Sequence, residues 1–491
     1  MHTPFFPALR HCLAPMGSRV HAASRGLAQA TLAQIEDRLA PGLGPDLLVK
    51  PATKDHSRER IYSLHRTFWC WIWQVLQGNT ACREVVRQVQ ALFALHERGD
   101  VDEATGAYCT ARSKLPTALL ERALTASARS AEAAAAPLPL LRGRPVKIVD
   151  GTSVRLEDTP ANRKAFPPAK NQYAKPTFPL LKLLALFSAA SGAILARVVG
   201  AGQPSELRLL LGLQAALLPG DVLIGDRHFG CYVLVAWLQA RKVDLLARLA
   251  TGARRVDFRQ ALRRLGPQDG LFMWYKPTAA SPLLSAAEWA ALPDELIVRI
   301  VRARVAQRGF RVPSVTVVTT LLDAELYPAA EIFAAYARRW RLETCFNDLK
   351  TTLGMEQLSC RSPQVVEKEL LIFLTAHNLL RWLMAEAAQP GEVPVDRLSF
   401  KGTLDAFRQW TVALVQVRGK ARKRRQAALW RKFQEALVAD LVPERPGRSE
   451  PRAIKRPRKY PALTKPRKQY QDRWSRTERR RRANAKKAIL K

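Results

Sequence analysis

Two short apolar runs in this sequence each lead into an aspartate. Val146–Val149 runs into Asp150-Gly151-Thr152, and Asp221–Gly225 runs into Asp226-Arg227. Aspartate is a poor strand-interior residue, so both are expected in loops just past a strand. Strand ends of open α/β sheets are where ligands sit. Taken singly, each reads as an ordinary turn residue. A third acid, Glu343, lies in an amphipathic stretch about 117 residues beyond Asp226. Carboxylates brought together repel and titrate upward unless a cation lies among them, and oxygen-only donors suit a hard divalent ion such as Mg²⁺ or Mn²⁺.

The stretch carrying Glu343, residues 330–353, reads as one long helix stopped by Gly354. At 100° per residue, Tyr336, Arg339, Glu343 and Lys350 fall within an arc of about 60°. Leu342, Phe346, Leu349 and Leu353 occupy the adjoining face. Such a helix can bury its apolar stripe against a sheet and turn its polar stripe along the sheet edge. A solvated surface stripe, with Arg339 and Glu343 paired at i, i+4 for tenths of a kcal/mol, accounts for the same pattern.

The elements that must position these groups follow from periodicity. Phe68, Trp71, Ile72 and Val75, then Val85, Val86, Val89, Leu92 and Phe93, recur at helical spacing, and Ala131–Pro139 reads as a linker. Leu180–Phe187 and Ala193–Val199 read as strands joined at Ser191-Gly192. Glu206–Leu218 and Tyr232–Ala240 read as helices, with Val243–Leu249 a strand after the second. Leu271–Tyr275, Leu296–Val305 and Ser314–Thr320 are strand-like, and helices are expected over 364–385 and 403–438. His377 falls on an apolar helix, where a packed histidine is the favoured reading over a catalytic base.

At 491 residues the chain is long enough for two or three structural units. It carries 79 Lys and Arg against 42 Asp and Glu, a net charge of +37. Residues 411–491 hold 27 Lys and Arg against 6 Asp and Glu, so over half the excess sits in this Pro-containing tail. A chain this basic attracts polyanions, nucleic acid first. No apolar run reaches the roughly 18 residues that span a bilayer, so no membrane partner is expected. The seven cysteines include no C-x-x-C pair, which argues against a disulfide framework or zinc knuckle and suits a reducing cytosol. The first 35 residues contain no acid but lack a continuous apolar core, and read as a loose extension rather than a targeting peptide.

The spacing Y-x2-R-x3-E-x6-K of Tyr336, Arg339, Glu343 and Lys350 resembles the signature of the insertion-sequence-four family of bacterial DDE transposases. So do Val149-Asp150-Gly151-Thr152-Ser153, Gly225-Asp226-Arg227-His228-Phe229, and Leu349-Lys350-Thr351-Thr352-Leu353-Gly354-Met355. Further matches are Tyr108-Cys109-x-Ala111-Arg112 and Glu450-Pro451-Arg452-Ala453, so the resemblance spans roughly residues 60–470. His228 departs from the aromatic expected there.

The resemblance implies an α/β fold with a ribonuclease-H-like core and a mostly β insertion. The expected division is a loose extension (1–55), a helical DNA-binding domain (56–135), a catalytic domain (140–400) with the insertion at about 251–325, and a helical, then basic and extended region (401–491). It implies a catalytic, metal-binding triad of Asp150, Asp226 and Glu343, with two Mg²⁺ or Mn²⁺ ions about 3.5–4 Å apart. Tyr336, Arg339, Lys350 and Arg227 would grip phosphates, and Arg58, Arg60, Arg66, Arg83 and Arg87 would lie on the end-binding helices. The implied partners are double-stranded DNA (terminal inverted repeats and target) and a second copy of the chain, in the cytoplasm at the nucleoid. The implied reaction nicks the element end, forms and resolves a hairpin, and joins the 3′-OH to target. An aromatic such as Trp274 would hold a flipped base. The alternatives are an inactive, domesticated transposase-derived DNA-binding protein, another ribonuclease-H-like nuclease, or a basic ribosome-associated protein without chemistry.

Overall fold

The computed structural model describes residues 35–44, 47–48, 61–95, 99–168, 178–202, 204–249, 256–304, 314–391, 393–417 and 421–443. Four helices open the main body: α1 (Leu64–Leu76), α2 (Cys82–Leu95), α3 (Gly106–Lys114) and α4 (Thr117–Ala134). Ser63 caps α1 by accepting from the Arg66 N–H. Phe68, Trp71, Ile72 and Val75 are buried, as their spacing requires. Of the expected loose extension, residues 1–34 lie outside the described residues. The short helical segment over 35–43 is packed instead, with Ile35, Leu39 and Leu43 in the core, as is Leu47.

A ten-stranded mixed sheet forms the centre. Its first part comprises β1 (Val146–Leu156), β2 (Leu180–Ser188), β3 (Ile194–Gly200), β4 (Val222–Gly225) and β5 (Asp244–Arg248). These lie in the order β3-β2-β1-β4-β5, with β1, β4 and β5 mutually parallel and β2 and β3 antiparallel. This is the ribonuclease-H-like arrangement. β4 is buried on both faces, so its run of apolar residues is continuous rather than alternating. The short α5 (Glu206–Leu211) and α6 (Tyr232–Gln239) flank β4 in sequence and pack on one face.

The strands of the expected insertion extend this same sheet. β6 (Arg263–Gly266), β7 (Asp269–Tyr275), β8 (Glu295–Arg304) and β9 (Ser314–Thr319) are antiparallel neighbours, and β9 hydrogen-bonds to the outer edge of β5. That pairing satisfies the row of N–H and C=O groups β5 would otherwise expose. Buried Arg299 on β8 anchors it through a fork to Asp269, with Nη2 2.6 Å from Oδ2.

The single helix expected over 330–353 is broken. α7 (Ala329–Ala337) and α8 (Arg339–Asn347) meet at Arg338, and Asp348–Thr352 form a π-helical turn. Arg338 is held by Asp396 at 2.5 Å, and Asp348 by Arg381 at 2.9 Å. These tertiary ion pairs are invisible to helical periodicity. The two-residue β10 (Gln357–Leu358) then pairs with the end of β1. α9 (Pro363–Ala388) is apolar almost all round and packs against α4 and α1, which is how a fully buried helix reads. The helical stretch expected over 403–438 is formed by two helices, α10 (Phe400–Gln416) and α11 (Arg422–Ala439). No described helix is long and apolar enough to cross a membrane. The tail from residue 444 lies outside the described residues.

Candidate active site

Asp150 is not past the end of its strand. β1 continues six residues further, because β2 pairs with it throughout, from Lys147 to Arg155, while its other neighbour changes. β4 accompanies β1 only as far as Ile148, and β10 takes up pairing at Arg155. Asp150 therefore sits mid-strand beside a gap, where the sheet lacks a neighbour on one side. Its Oδ1 accepts from the Gly151 N–H at 2.8 Å.

Asp226 does lie just past β4. Its Oδ1 accepts from the His228 N–H at 2.8 Å, an Asx turn that directs the chain away. Ile148 pairs with Ile224, so continuing the parallel register by two residues sets Asp150 abreast of Asp226. On the other side Gly225 pairs with Ala247, which sets Asp226 abreast of Arg248 at the end of β5. Alternation puts all three on the face of Ile148, Ile224 and Leu246, which belong to the larger core. α7 and α8 carry that core onward through Ile332, Tyr336 and Phe346.

Arg339 opens α8 over this row, with its Nη1 4.0 Å from Asp150 Oδ2. Tyr336 is buried, and its hydroxyl is hydrogen-bonded to Arg339. Burial raises the Tyr336 pKa, against the pull of Arg339 and Arg248. Glu343 lies on α8, one turn beyond Arg339; its side chain lies outside the described residues. Lys350 falls in the π-helical turn, so the 100° arithmetic does not reach it. It still meets β1, since its Nζ donates to the Ser153 carbonyl at 3.0 Å. Arg227 is exposed, as are Arg83 and Arg87 on α2. Arg66 bonds the Ile61 carbonyl and stacks over Phe93, while Arg58 and Arg60 lie outside the described residues. Trp274 packs partly against the second core cluster. His377 is fully buried and stacks on Phe400 at 5.1 Å, with burial and Arg381 pushing its pKa well down. It is a packed histidine.

The electrostatics single out Asp150. Its side chain is 23% exposed. Burial pushes its pKa up to about 6, with the charges of Asp226 and Glu206 adding to the rise and the Gly151 N–H and Arg339 opposing it. Among the described residues no three metal-ligating side chains converge. The donors that are described, two carboxylates on one face, fit a hard divalent cation, because a positive charge between them would relieve both the burial and the repulsion.

Two neighbours escaped sequence reasoning. Arg248 closes the row, and its only signal was its place at the end of a strand. Glu206 begins α5 behind Gly151, where a Cβ would come within 2.6 Å of its Oε1. Lys182 holds it at 3.3 Å. The glycine of the Asp-Gly pair is what lets Glu206 approach.

A ribonuclease-H-like sheet with one aspartate within a strand, a second just past the end of its neighbour, and a glutamate-bearing helix packed on that face is the framework of a polynucleotidyl transferase. Residues 141–379 match the family described as Transposase DDE domain. The chain is 27% identical over 441 residues to "Transposase InsG for insertion sequence element IS4" of Escherichia coli (strain K12), covering 88% of this chain and 94% of that protein. The cryo-EM structure of a piggyBac transposase synaptic complex with hairpin DNA aligns at a TM-score of 0.41 and 10% identity, over 88% of this chain and 87% of that one. Residues 141–379, a little under half of the chain, thus match a transposase DDE domain, and over most of its length the chain is similar to an insertion-sequence-four transposase.

Proposed function

We propose that this enzyme binds the terminal inverted repeats of its own insertion sequence, cuts them in a divalent-metal-dependent reaction, and joins the freed 3′ ends to target DNA. The observation that supports it most is the abreast placement of Asp150 and Asp226 on one sheet face under α8. Asp150 and Asp226 would hold two Mg²⁺ or Mn²⁺ ions, with Glu343 holding one of them. The ions would supply activation of the attacking oxygen and charge relief at the leaving oxygen.

The protein's own groups divide the remaining work. Arg339, cationic and poised at the carboxylate row, offers a planar fork to the scissile phosphate. Tyr336 orients that fork through its hydrogen bond. Lys350 contributes a point charge at the β1 end of the site, and exposed Arg227 a contact at its rim. The exposed arginines of α2 and the basic C-terminal tail bind flanking phosphates. A hairpin on the element end, and a dimer that synapses two ends, complete the reading, which places the protein in the cytoplasm at the nucleoid. The division into N-terminal DNA-binding helices, catalytic core with β insertion, and basic tail belongs to the same proposal.

The test is cleavage of duplex DNA bearing the element's ends, with Mg²⁺ or EDTA, by wild type and Glu343→Ala. Metal-dependent cut ends from wild type alone, with binding kept in the variant, support the reading. Equal cleavage by both removes Glu343 from the triad, and binding without cleavage by either favours a domesticated DNA-binding protein.

A further inference from the structure

Three of the chain's seven cysteines line one cavity of about 560 Å³ that has no part in the carboxylate row. Cys82 is the first residue of α2, Cys109 lies in α3, and Cys360 follows β10. They surround Arg112, the last residue of the Tyr108-Cys109-x-Ala111-Arg112 motif, which the cleavage site leaves unexplained. Arg112 is 4% exposed and lies 4.1 Å over the Trp71 ring. Its guanidinium donates to Cys82 Sγ at 3.1 Å and, through its other terminal nitrogen, to Cys360 Sγ. Gln74 Nε2 donates to Cys82 Sγ at 3.7 Å, and the Cys109 thiol hydrogen-bonds to the same sulfur.

Arg112 and Gln74 thus both donate to Cys82, while Arg112 also donates to Cys360 and Gln74 to the Thr80 carbonyl. The arrangement suits a thiolate, which is the nucleophilic form, and the first turn of a helix adds to the preference. The Cys109 hydrogen bond leads in bringing the Cys82 pKa down to about 6, helped by Arg112 and Gln74 against burial. Cys109 is pushed up by the same neighbour and keeps its proton. A sulfur whose neighbours favour the thiolate, lining one cavity with a solvent-exposed thiol, is the pairing of an attacking and a resolving thiol.

We propose that Cys82 and Cys109 are a peroxide-oxidisable dithiol, a modification site at the junction of the N-terminal helices with the catalytic sheet. The Cys82 thiolate attacks one peroxide oxygen, the O–O bond breaks, and Cys82 becomes a sulfenic acid as hydroxide leaves. Cys109 then gives up its proton to that hydroxide, and its sulfur attacks Cys82. The S–O bond breaks, and the departing oxygen takes up a proton from solvent to leave as water. Two thiols are oxidised to a disulfide and one peroxide is reduced to two waters. The bond fastens α2 to α3 and strips Arg112 of its thiolate partner, at the point where Arg112 also holds the segment following β10. A thiol reductant reverses it.

Reduced full-length protein is exposed to hydrogen peroxide at neutral pH, quenched with N-ethylmaleimide, digested and mapped by mass spectrometry. The expected product is a Cys82–Cys109 linked peptide, reversed by dithiothreitol, forming at least about tenfold faster than oxidation at Cys231, whose thiol burial pushes up. Cys109→Ser should leave a sulfenic acid at Cys82 that dimedone captures, and Cys82→Ser should leave Cys109 unreacted. Oxidation of Cys82 no faster than Cys231, or over-oxidation of Cys82 with no link to Cys109, overturns the proposal. The decisive map is made on wild type, so it stands even if a variant fails to fold.

Discussion

The Arg339 guanidinium lies 4.0 Å from the Asp150 carboxylate, at the site where a divalent ion would bind. In the metal-free protein the arginine therefore supplies part of the positive charge the carboxylates lack. On the proposed function, a metal ion held by Asp150 would compete with Arg339 for its carboxylate and leave the guanidinium free to face a phosphate. Arg339→Ala is expected to bind Mg²⁺ about five- to tenfold more tightly at pH 7.5, as an interaction of this range near a surface would give, while cutting element ends far more slowly. Isothermal titration with Mg²⁺ alone reads the first effect. Unchanged metal affinity would show that Arg339 serves only the DNA.

Asp150 predicts a pH-dependent stability. Its folded pKa of about 6 stands above the ordinary aspartate value of 3.8, so the folded state holds the proton more tightly than the unfolded chain. Below the unfolded value both states are protonated and nothing is lost. As pH rises through the folded value, ionising the buried acid costs up to about 3 kcal/mol. Asp150→Asn should therefore raise Tm above pH 6, by an increment that fades toward pH 4, while abolishing cleavage. Thermal melts without metal between pH 4 and 8 measure it, and a Tm gain independent of pH would point to a cause other than this charge. Added Mg²⁺ should stabilise wild type above pH 6 and leave the variant largely unmoved.

Much of the candidate site was legible because its parts are local. The run before Asp226 is a short strand, and the apolar periodicity around Phe68 and Val85 is helical. What sequence could not show was pairing. That Asp150 lies mid-strand follows from β4 ending and β10 beginning as partners, a non-local event that overrides aspartate's low strand propensity. The break at Arg338 follows from an ion pair to Asp396, 58 residues away. The insertion strands join the main sheet because β5 presents an open edge. Glu206 and Arg248 reach the site only through register and a glycine, so no motif announced them.

The basic tail should act on DNA generally rather than on the element's ends. Residues 411–491 carry a net charge of +21. Ending the chain after Pro443 removes most of that charge while keeping α11, whose Phe433 and Leu437 are buried. The truncated protein should bind random duplex at least about tenfold more weakly at low salt and show a shallower dependence of log K on log salt. Its preference for end-bearing DNA over random DNA should rise. Fluorescence anisotropy across a salt series gives both quantities, and an unaltered slope would assign the non-specific binding to the helices instead.

Lys350 can be a phosphate contact or a tie between the π-helical turn and β1, since its Nζ donates to the Ser153 carbonyl at 3.0 Å. The two roles separate experimentally. Burial lowers its pKa, yet the group is only about half-covered and the tie joins an exposed pair, so its loss should cost little stability. Lys350→Met is expected to leave the melting temperature nearly unchanged and to reduce the salt slope of end binding by about one. Lys350→Arg should restore the slope. A variant that melts early but keeps the full slope would make Lys350 a structural tie alone, and the phosphate at that end of the site would then fall to Arg339.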